Sequence, residues 1–372
     1  MQVLQDIIVI ELASVLAGPS VGQFLAELGA KVYKVEHPTQ GDITRQWKTE
    51  NEVEEQDISA YFSTVNWGKT PLPLNLKSPN DLTTLYQHIK KADIVIASFK
   101  PGDAQKLKVD YETLRQIKPD LIFAEISGFG GEHARVGYDA VIQAESGFMS
   151  INGAPKAEAL KMPVALMDIL AAHHLKEGIL SAYIHKLKTG QGNFVSVALI
   201  DAGLVSLANQ GNNYLMTGKV PKAQGNEHPN IYPYGSIFYC RNNKGILIAI
   251  GSDRQFVKLC RVIGAEKLTK DEKYITNTAR VQNRNSLRIF LKETFEKHES
   301  TFLEKKFLKE NIPFGIVRNV KEAFVHYKER DLVIQKGNLS GLKQKAFKMA
   351  EGNNINKLKE PYSLKQEFDE PK

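Results

Sequence analysis

Short apolar runs rich in β-branched residues alternate with stretches of helical periodicity through the N-terminal half, and that alternation admits few folds. Residues 6–10, Asp-Ile-Ile-Val-Ile, form one run and Val32–Val35 another, and the spacing between them predicts a helix over about Ser20–Leu28. Ala92–Ala97 follows a helical pattern around Leu82–Lys91, and Leu121–Ile126 follows a further one near Tyr111–Ile117. Strands that alternate with helices pair in parallel through crossover connections. An α/β fold with a Rossmann-like parallel sheet, covered by helices on both faces, is therefore expected. Such sheets bind ligands beyond the carboxyl ends of their strands, which singles out the loops 11–19, 36–47, 98–102 and 127–139.

Beyond this block the spacing predicts a helix from Asp168 to about Lys188, a break at Thr189-Gly-Gln-Gly192, a strand over Phe194–Leu199 and a long helix over Ile200–Leu215. Gly218, Pro221, Gly225 and Pro229 then mark a linker. Ile231–Ile250 reads as two strands joined at Arg241-Asn-Asn-Lys-Gly245, and helices are expected around Asp253–Ile263, Val281–His298 and Thr301–Glu310. The chain has 372 residues, more than one hydrophobic core usually serves. The division expected is a large domain over 1–217, a smaller α+β domain over 225–318 and a segment 319–372 returning to a large domain. The polar stretch Gly352–Asn356 is expected to be flexible.

Several function classes drop out. No apolar stretch reaches the roughly 18 residues of a membrane span and no secretory leader is evident, so a cytoplasmic protein with no membrane partner is expected. The two cysteines, Cys240 and Cys260, read as reduced structural thiols. A net charge of +7 admits anionic partners, but the lysines are interspersed with acids and no nucleic-acid-binding motif occurs, so no nucleic-acid partner is expected. The first loop, Glu11–Pro19, lacks the dinucleotide fingerprint, no phosphate loop or Gly-x-Ser-x-Gly elbow occurs, and no histidine or cysteine spacing suits a metal. No tightly bound cofactor is expected.

Asp168 stands between apolar residues at an expected helix start. Two readings stay open for it: an N-cap, or a carboxylate at the positive end of a helix, shielded from water and able to act as a nucleophile. Gly137-Tyr-Asp139, with Gln143 beyond it, and Ser98-Phe-Lys-Pro-Gly102 read either as turns or as site elements. Asn226-Glu-His-Pro-Asn-Ile-Tyr-Pro233 is denser in polar and rigid residues than a linker needs, which leaves a binding role as open as a structural one.

In this order along the chain, Leu16-Ala-Gly-Pro19, Lys34-Val-Glu-His-Pro38, Gly41-Asp-Ile-Thr-Arg45, Ser98-Phe-Lys-Pro-Gly102, Gly137-Tyr-Asp139, Thr189-Gly-Gln-Gly192 and Gly225-Asn-Glu-His-Pro-Asn230 resemble the motifs of class III CoA-transferases. The resemblance implies an interlocked homodimer whose substrates are acyl-CoA and a free carboxylic acid. It implies Asp168 as the covalent nucleophile, carrying CoA through mixed-anhydride and aspartyl-thioester intermediates. For CoA contacts it points to Leu16, Ala17, His37, Arg45, Lys69, Ser98, Phe99, Lys100, Lys106 and Tyr138. For the acyl or acceptor pocket it points to Trp47, Tyr61, Tyr138, Asp139, His228 and Asn230. The racemase branch of the family carries a basic histidine where this chain has Tyr138; a phenol is a poor base at neutral pH, which favours transfer over α-carbon epimerisation. A non-catalytic binder of acyl-CoA on the same scaffold is the remaining alternative.

Overall fold

The computed structural model describes residues 2–52, 57–131, 133, 135–350 and 358–364. These fall into two units. The first takes in the described residues of Met1–Phe148, Lys161–Lys219 and Arg330–Lys372, and the second comprises Met149–Leu160 and Val220–Glu329. Residues 149–160 thus lie with the second unit although they fall inside the span 1–217 expected to form one domain. A backbone hydrogen bond from Gly225 to Gly153, at 2.8 Å, ties them there.

The first unit is built on six parallel strands: β1 (Ile8–Leu12), β2 (Lys31–Glu36), β3 (Lys69–Pro73), β4 (Ile94–Ala97), β5 (Ile122–Ser127) and β6 (Asn193–Ala198). Their order is β3-β2-β1-β4-β5-β6. The order reverses between β1 and β4, so the loops after these two strands diverge and leave a crevice at their carboxyl ends. Alternate side chains divide between two cores. Val9, Ile94, Ile96, Ile122 and Ala124 pack on one face, and Ile10, Val95, Ala97 and Phe123 on the other. Strand β3 went unread in the sequence because Pro71 and Pro73 interrupt it. It sits at the sheet edge, where the missing N–H groups leave no ladder bond unmade.

The helix Ala17–Glu27 is buried along its whole length. It shares one core with the helix Leu166–Thr189, which ends at Gly190 in the left-handed region (φ 73°). The single helix expected over Ile200–Leu215 is two, Leu199–Ser206 and Ala208–Thr217, parted by the left-handed φ of Ala208, 48°. In the C-terminal part of this unit, strands β10 (Val333–Lys336) and β11 (Leu339–Leu342) form a hairpin, and the N–H of Gly68 donates to the carbonyl of Lys359 at 2.7 Å. The stretch Gly352–Asn356, expected to be flexible, lies outside the described residues.

The second unit has an antiparallel sheet of β7 (Tyr234–Tyr239), β8 (Gly245–Ala249) and β9 (Phe314–Ile316), with Asn243 turning between the first two at φ 56°. Its core draws on Phe238, Ile246, Ile248, Leu259, Leu291, Phe295 and Phe307. The helix expected over Val281–His298 is split at Asn283, whose side-chain amide donates to the carbonyls of Ala279 and Lys273 and so competes with the helical ladder. Cys240 and Cys260 are free and buried, and burial pushes their thiols up to about 11 and about 12. Both are unreactive at neutral pH. Among the described residues no helix is long and apolar enough to cross a membrane, and no group of three or more His, Cys, Asp or Glu side chains is placed to hold a metal ion.

Candidate active site

A cavity of about 390 Å³ opens where the crevice was expected. Its lining joins the loop after β1 (Ser14 to Gly18), Ile43 and Trp47, the loop after β4 (Ser98 to Pro101), the loop after β5, and Asp168. The loop after β5 is shaped by two glycines whose backbones touch. A Cβ on Gly128 would lie 2.5 Å from the Cα of Gly137, so neither position has room for a side chain. That contact sets the entry to the helix Asp139–Glu145 and places Tyr138 and Asp139 at the cavity.

Asp168 is not the N-cap of its helix. Ala165 occupies that position, with no capping side chain of its own, and Asp168 lies in the first helical turn. The cap comes from Asp139, whose Oδ1 accepts from the N–H of Met167 at 2.7 Å while its Oδ2 accepts from the Gln143 amide at 2.7 Å. Gln143 also accepts from the N–H of Met162 at 2.7 Å, which ties down the strand of chain leading into the helix. With the capping duty met elsewhere, the Asp168 carboxyl has no hydrogen-bonding partner among the described residues. Burial, and then the neighbouring charge of Asp139, push it up to about 7. Tyr61 lies close to the same charges: burial first, then Asp168 and Asp139, raise its phenol above the ordinary value. Its ring meets Trp47 edge to face, with centroids 5.0 Å apart.

Beneath the loop after β1 runs a buried chain of charges. Lys34 donates to Glu11 at 3.0 Å and to the carbonyl of Ala13 at 2.8 Å, and pairs with Asp42 at 3.1 Å. Lys69 pairs with Glu11 at 2.8 Å and donates to the carbonyl of Pro19 at 2.9 Å. Burial pushes Lys69 down to about 8, whereas for Lys34 the surrounding carboxylates of Glu11 and Asp42 outweigh burial and raise it. Burial drives Asp42 upward, but Lys34 and the bonds from Thr44 prevail and hold its carboxyl below the usual range. Asp42 also accepts from the N–H of Val15 at 3.2 Å. Val15 has φ 71°, a region that costs a β-branched residue on the order of 1–3 kcal/mol.

Of the residues singled out for CoA, Leu16, Ala17, Ser98, Phe99, Lys100 and Tyr138 line the cavity, as do Trp47 and Asp139 from the acyl set. Arg45 and Lys69 do not. Arg45 is buried with its guanidinium on Glu36 at 2.8 Å and 3.7 Å above the Phe62 ring, and Lys69 belongs to the charge chain just described. His37 is half-buried beside Thr39, and Lys106 is exposed and paired with Asp103 at 3.2 Å. His228 and Asn230 belong to the second unit, where the His228 Nδ1 accepts from the N–H of Asn230 at 3.1 Å. His133 and Arg135 line the cavity without having been singled out. The available signal was two bases within a loop already marked by its place after β5. Val15 and Asp42 likewise gave no residue-level signal, since a backbone angle and a buried partner are invisible in a string of letters.

The match to the family model "CoA-transferase family III" spans residues 4–360, and the chain belongs to that family, which makes it a CoA-transferase by class. It is 39% identical over 328 residues to the succinate–glutarate CoA-transferase of Agrobacterium fabrum, covering 86% of this chain and 81% of that one. It is 34% identical to the acetyl-CoA:oxalate CoA-transferase of Acetobacter aceti, covering 85% and 81%. Among solved structures, a CAIB/BAIF family protein from Brucella suis superposes with a TM-score of 0.84 at 37% identity, covering 96% of this chain and 94% of that one.

Proposed function

We propose that this enzyme moves CoA from a short dicarboxylic acyl-CoA to a free dicarboxylate, with Asp168 as the covalent carrier. The observation that carries the reading is the Asp168 carboxyl: at the cavity wall, in the first turn of a 24-residue helix, without a hydrogen-bonding partner among the described residues. A carboxylate stripped of donors is a stronger nucleophile than one held by them, and the helix start favours its charge. Asp168 attacks the donor thioester carbonyl. The C–S bond breaks, and the thiolate leaves with its electron pair to give a mixed anhydride. The thiolate then attacks the aspartyl carbonyl and expels the donor acid as a carboxylate, leaving an aspartyl thioester. The acceptor carboxylate repeats both steps in reverse and restores Asp168. Each acyl bond broken is matched by one formed, so no external energy source enters.

Leu16, Ala17, Ser98, Phe99, Lys100 and Tyr138 are assigned to the acyl-CoA, and Trp47 and Tyr61 to the acyl group. Lys100, together with Arg135, which is paired with Glu145 at 2.8 Å, supplies positive charge on the lining for anionic substrate groups. The name of the Agrobacterium fabrum relative, which specifies succinate and glutarate, supports a dicarboxylate at each end, and that of the Acetobacter aceti relative supports a dicarboxylate as acceptor. Leu204, Val205, Leu215 and Met216 are exposed apolar residues of the paired helices Leu199–Ser206 and Ala208–Thr217, and they suit the interlocked homodimer we assign to the working form.

Incubation with succinyl-CoA followed by hydroxylamine is expected to convert Asp168 to its hydroxamate, read by mass spectrometry of the peptide containing it. A label on another residue, or none under conditions of turnover, would overturn the covalent role. The pH dependence gives a separate check. With the carboxyl at about 7, single-turnover release of CoA thiol is expected to fall about tenfold per unit below neutrality and to level off above it. A rate flat from pH 5 to 8 contradicts this.

A further inference from the structure

We infer that Asp42 is a positioning residue, whose carboxylate holds Val15 in the left-handed region and thereby sets the cavity wall formed by Leu16, Ala17 and Gly18. Val15 is the one β-branched residue on that wall with a positive φ, 71°, and nothing in its own side chain favours the angle. The angle is imposed from outside. Its N–H donates to Asp42 at 3.2 Å to Oδ2 and 3.4 Å to Oδ1, and Asp42 is itself immobilised by Lys34 at 3.1 Å and by the N–H and hydroxyl of Thr44 at 3.0 and 2.8 Å. On the other side of the strained residue, the carbonyl of Ala13 accepts from Lys34 at 2.8 Å, so the loop is fixed at both ends by one buried charge chain.

The turn at Val15 decides where the next residues go. They open the helix Ala17–Glu27, whose third residue is Pro19 and supplies no N–H. The N–H of Ser20 reaches back to the carbonyl of Leu16 at 2.8 Å. Ala17 and Gly18 are left as donors without an intrahelical acceptor, on the wall of the same cavity as Asp168. Strain retained beside a reactive carboxyl indicates that the geometry it enforces is used. The kinetic part of this inference rests on the transfer reading above; the structural part does not.

The test is a double-mutant cycle between Asp42→Asn and Val15→Gly. Asparagine that keeps its oxygen on Thr44 presents an NH2 to Val15 and Lys34, so it removes the anchor while preserving volume. Glycine adopts the left-handed angle without an anchor. For CoA transfer, Asp42→Asn is expected to lower kcat about tenfold while KM for acyl-CoA changes less than about threefold, and adding Val15→Gly is expected to restore kcat at least about threefold. A merely structural role for Asp42 predicts no rescue, and a double variant no better than Asp42→Asn overturns the inference.

Melting temperatures without substrate read the same coupling independently of chemistry. Val15→Gly is expected to raise the melting temperature by about 2 °C when Asp42 is present, because strain relief exceeds the entropy cost of glycine, and to lower it in the Asp42→Asn background. Additive shifts overturn the positioning role. Coupled shifts in a protein whose parent chain transfers no CoA overturn the transfer reading alone. Should Asp42→Asn fail to accumulate, Val15→Gly is compared with Val15→Ala, which keeps a Cβ and its strain. Equal melting of those two variants also overturns the inference.

Discussion

Asp168→Asn is expected to remove transfer activity and, above neutral pH, to make the protein more stable. The amide forms no anhydride, so CoA exchange between succinyl-CoA and a dicarboxylate is expected to fall by at least about 10⁴-fold. The stability change follows from where the carboxyl titrates. In the fold it titrates at about 7, against an ordinary value of 3.8. The unfolded chain therefore gives up this proton more readily than the folded one. Between pH 4 and 7 the wild-type protein loses stability progressively, and above 7 the loss is constant. The full shift corresponds to about 4 kcal/mol, and partial solvent access lowers that to roughly 2–3 kcal/mol. Asparagine carries no such penalty. Its melting temperature is expected to exceed that of wild type by roughly 3–8 °C at pH 8 and to converge with it below pH 4. Denaturation followed at both pH values decides the matter: an asparagine variant less stable than wild type at pH 8 shows that the native carboxylate is held by partners rather than exposed to its neighbour's charge.

That opposition between activity and stability marks what the sequence made legible and what it concealed. The sheet was readable because Ile8–Leu12, Ile94–Ala97 and Ile122–Ser127 are nearly pure apolar runs, and only a strand buried on both faces is written that way. The edge strand β3 was not readable, since half its hydrogen-bonding potential is unused and prolines fit there. Around the site the limit was different. Asp168 was visible as an acid among apolar residues, but its N-cap reading failed because the true cap, Asp139, arrives from another helix. The family resemblance put Arg45 and Lys69 among the CoA contacts. Their partners Glu36 and Glu11 sit on β2 and β1, so only the folded register discloses that both charges are already neutralised in the interior. A charge in a sequence has a sign and a position along the chain; what it faces is a property of the fold.

Gly22→Ala is expected to be a strongly destabilising single-methyl change in the first unit. The added Cβ lands 1.8 Å from Oε2 of Glu11 and 3.3 Å from Cε of Lys69. At many positions a flexible side chain would swing aside. Glu11 has no such freedom: it is wholly buried, with Oε1 on Lys34 at 3.0 Å and on Lys69 at 2.9 Å. Either the helix Ala17–Glu27 lifts from the sheet, which opens a core packed along the whole helix, or Glu11 leaves its lysines. The first is overpacking at about 1–3 kcal/mol, and the second breaks a buried ion pair at about 3–5 kcal/mol. The easier relaxation combines parts of both, so a loss near 3 kcal/mol and a fall of roughly 6–12 °C in melting temperature are expected. Gly131→Ala is the control, because its Cβ meets nothing within 4 Å. The same displacement reaches the cavity, since Lys34 joins Glu11 to Asp42 and Asp42 holds Val15. Transfer activity in Gly22→Ala is thus expected to drop well below the folded fraction measured at the same temperature. A variant that melts within a degree of wild type would mean that the charge chain under the loop is loose enough to absorb a methyl group, and a loose chain has no means of holding Val15 in its strained conformation.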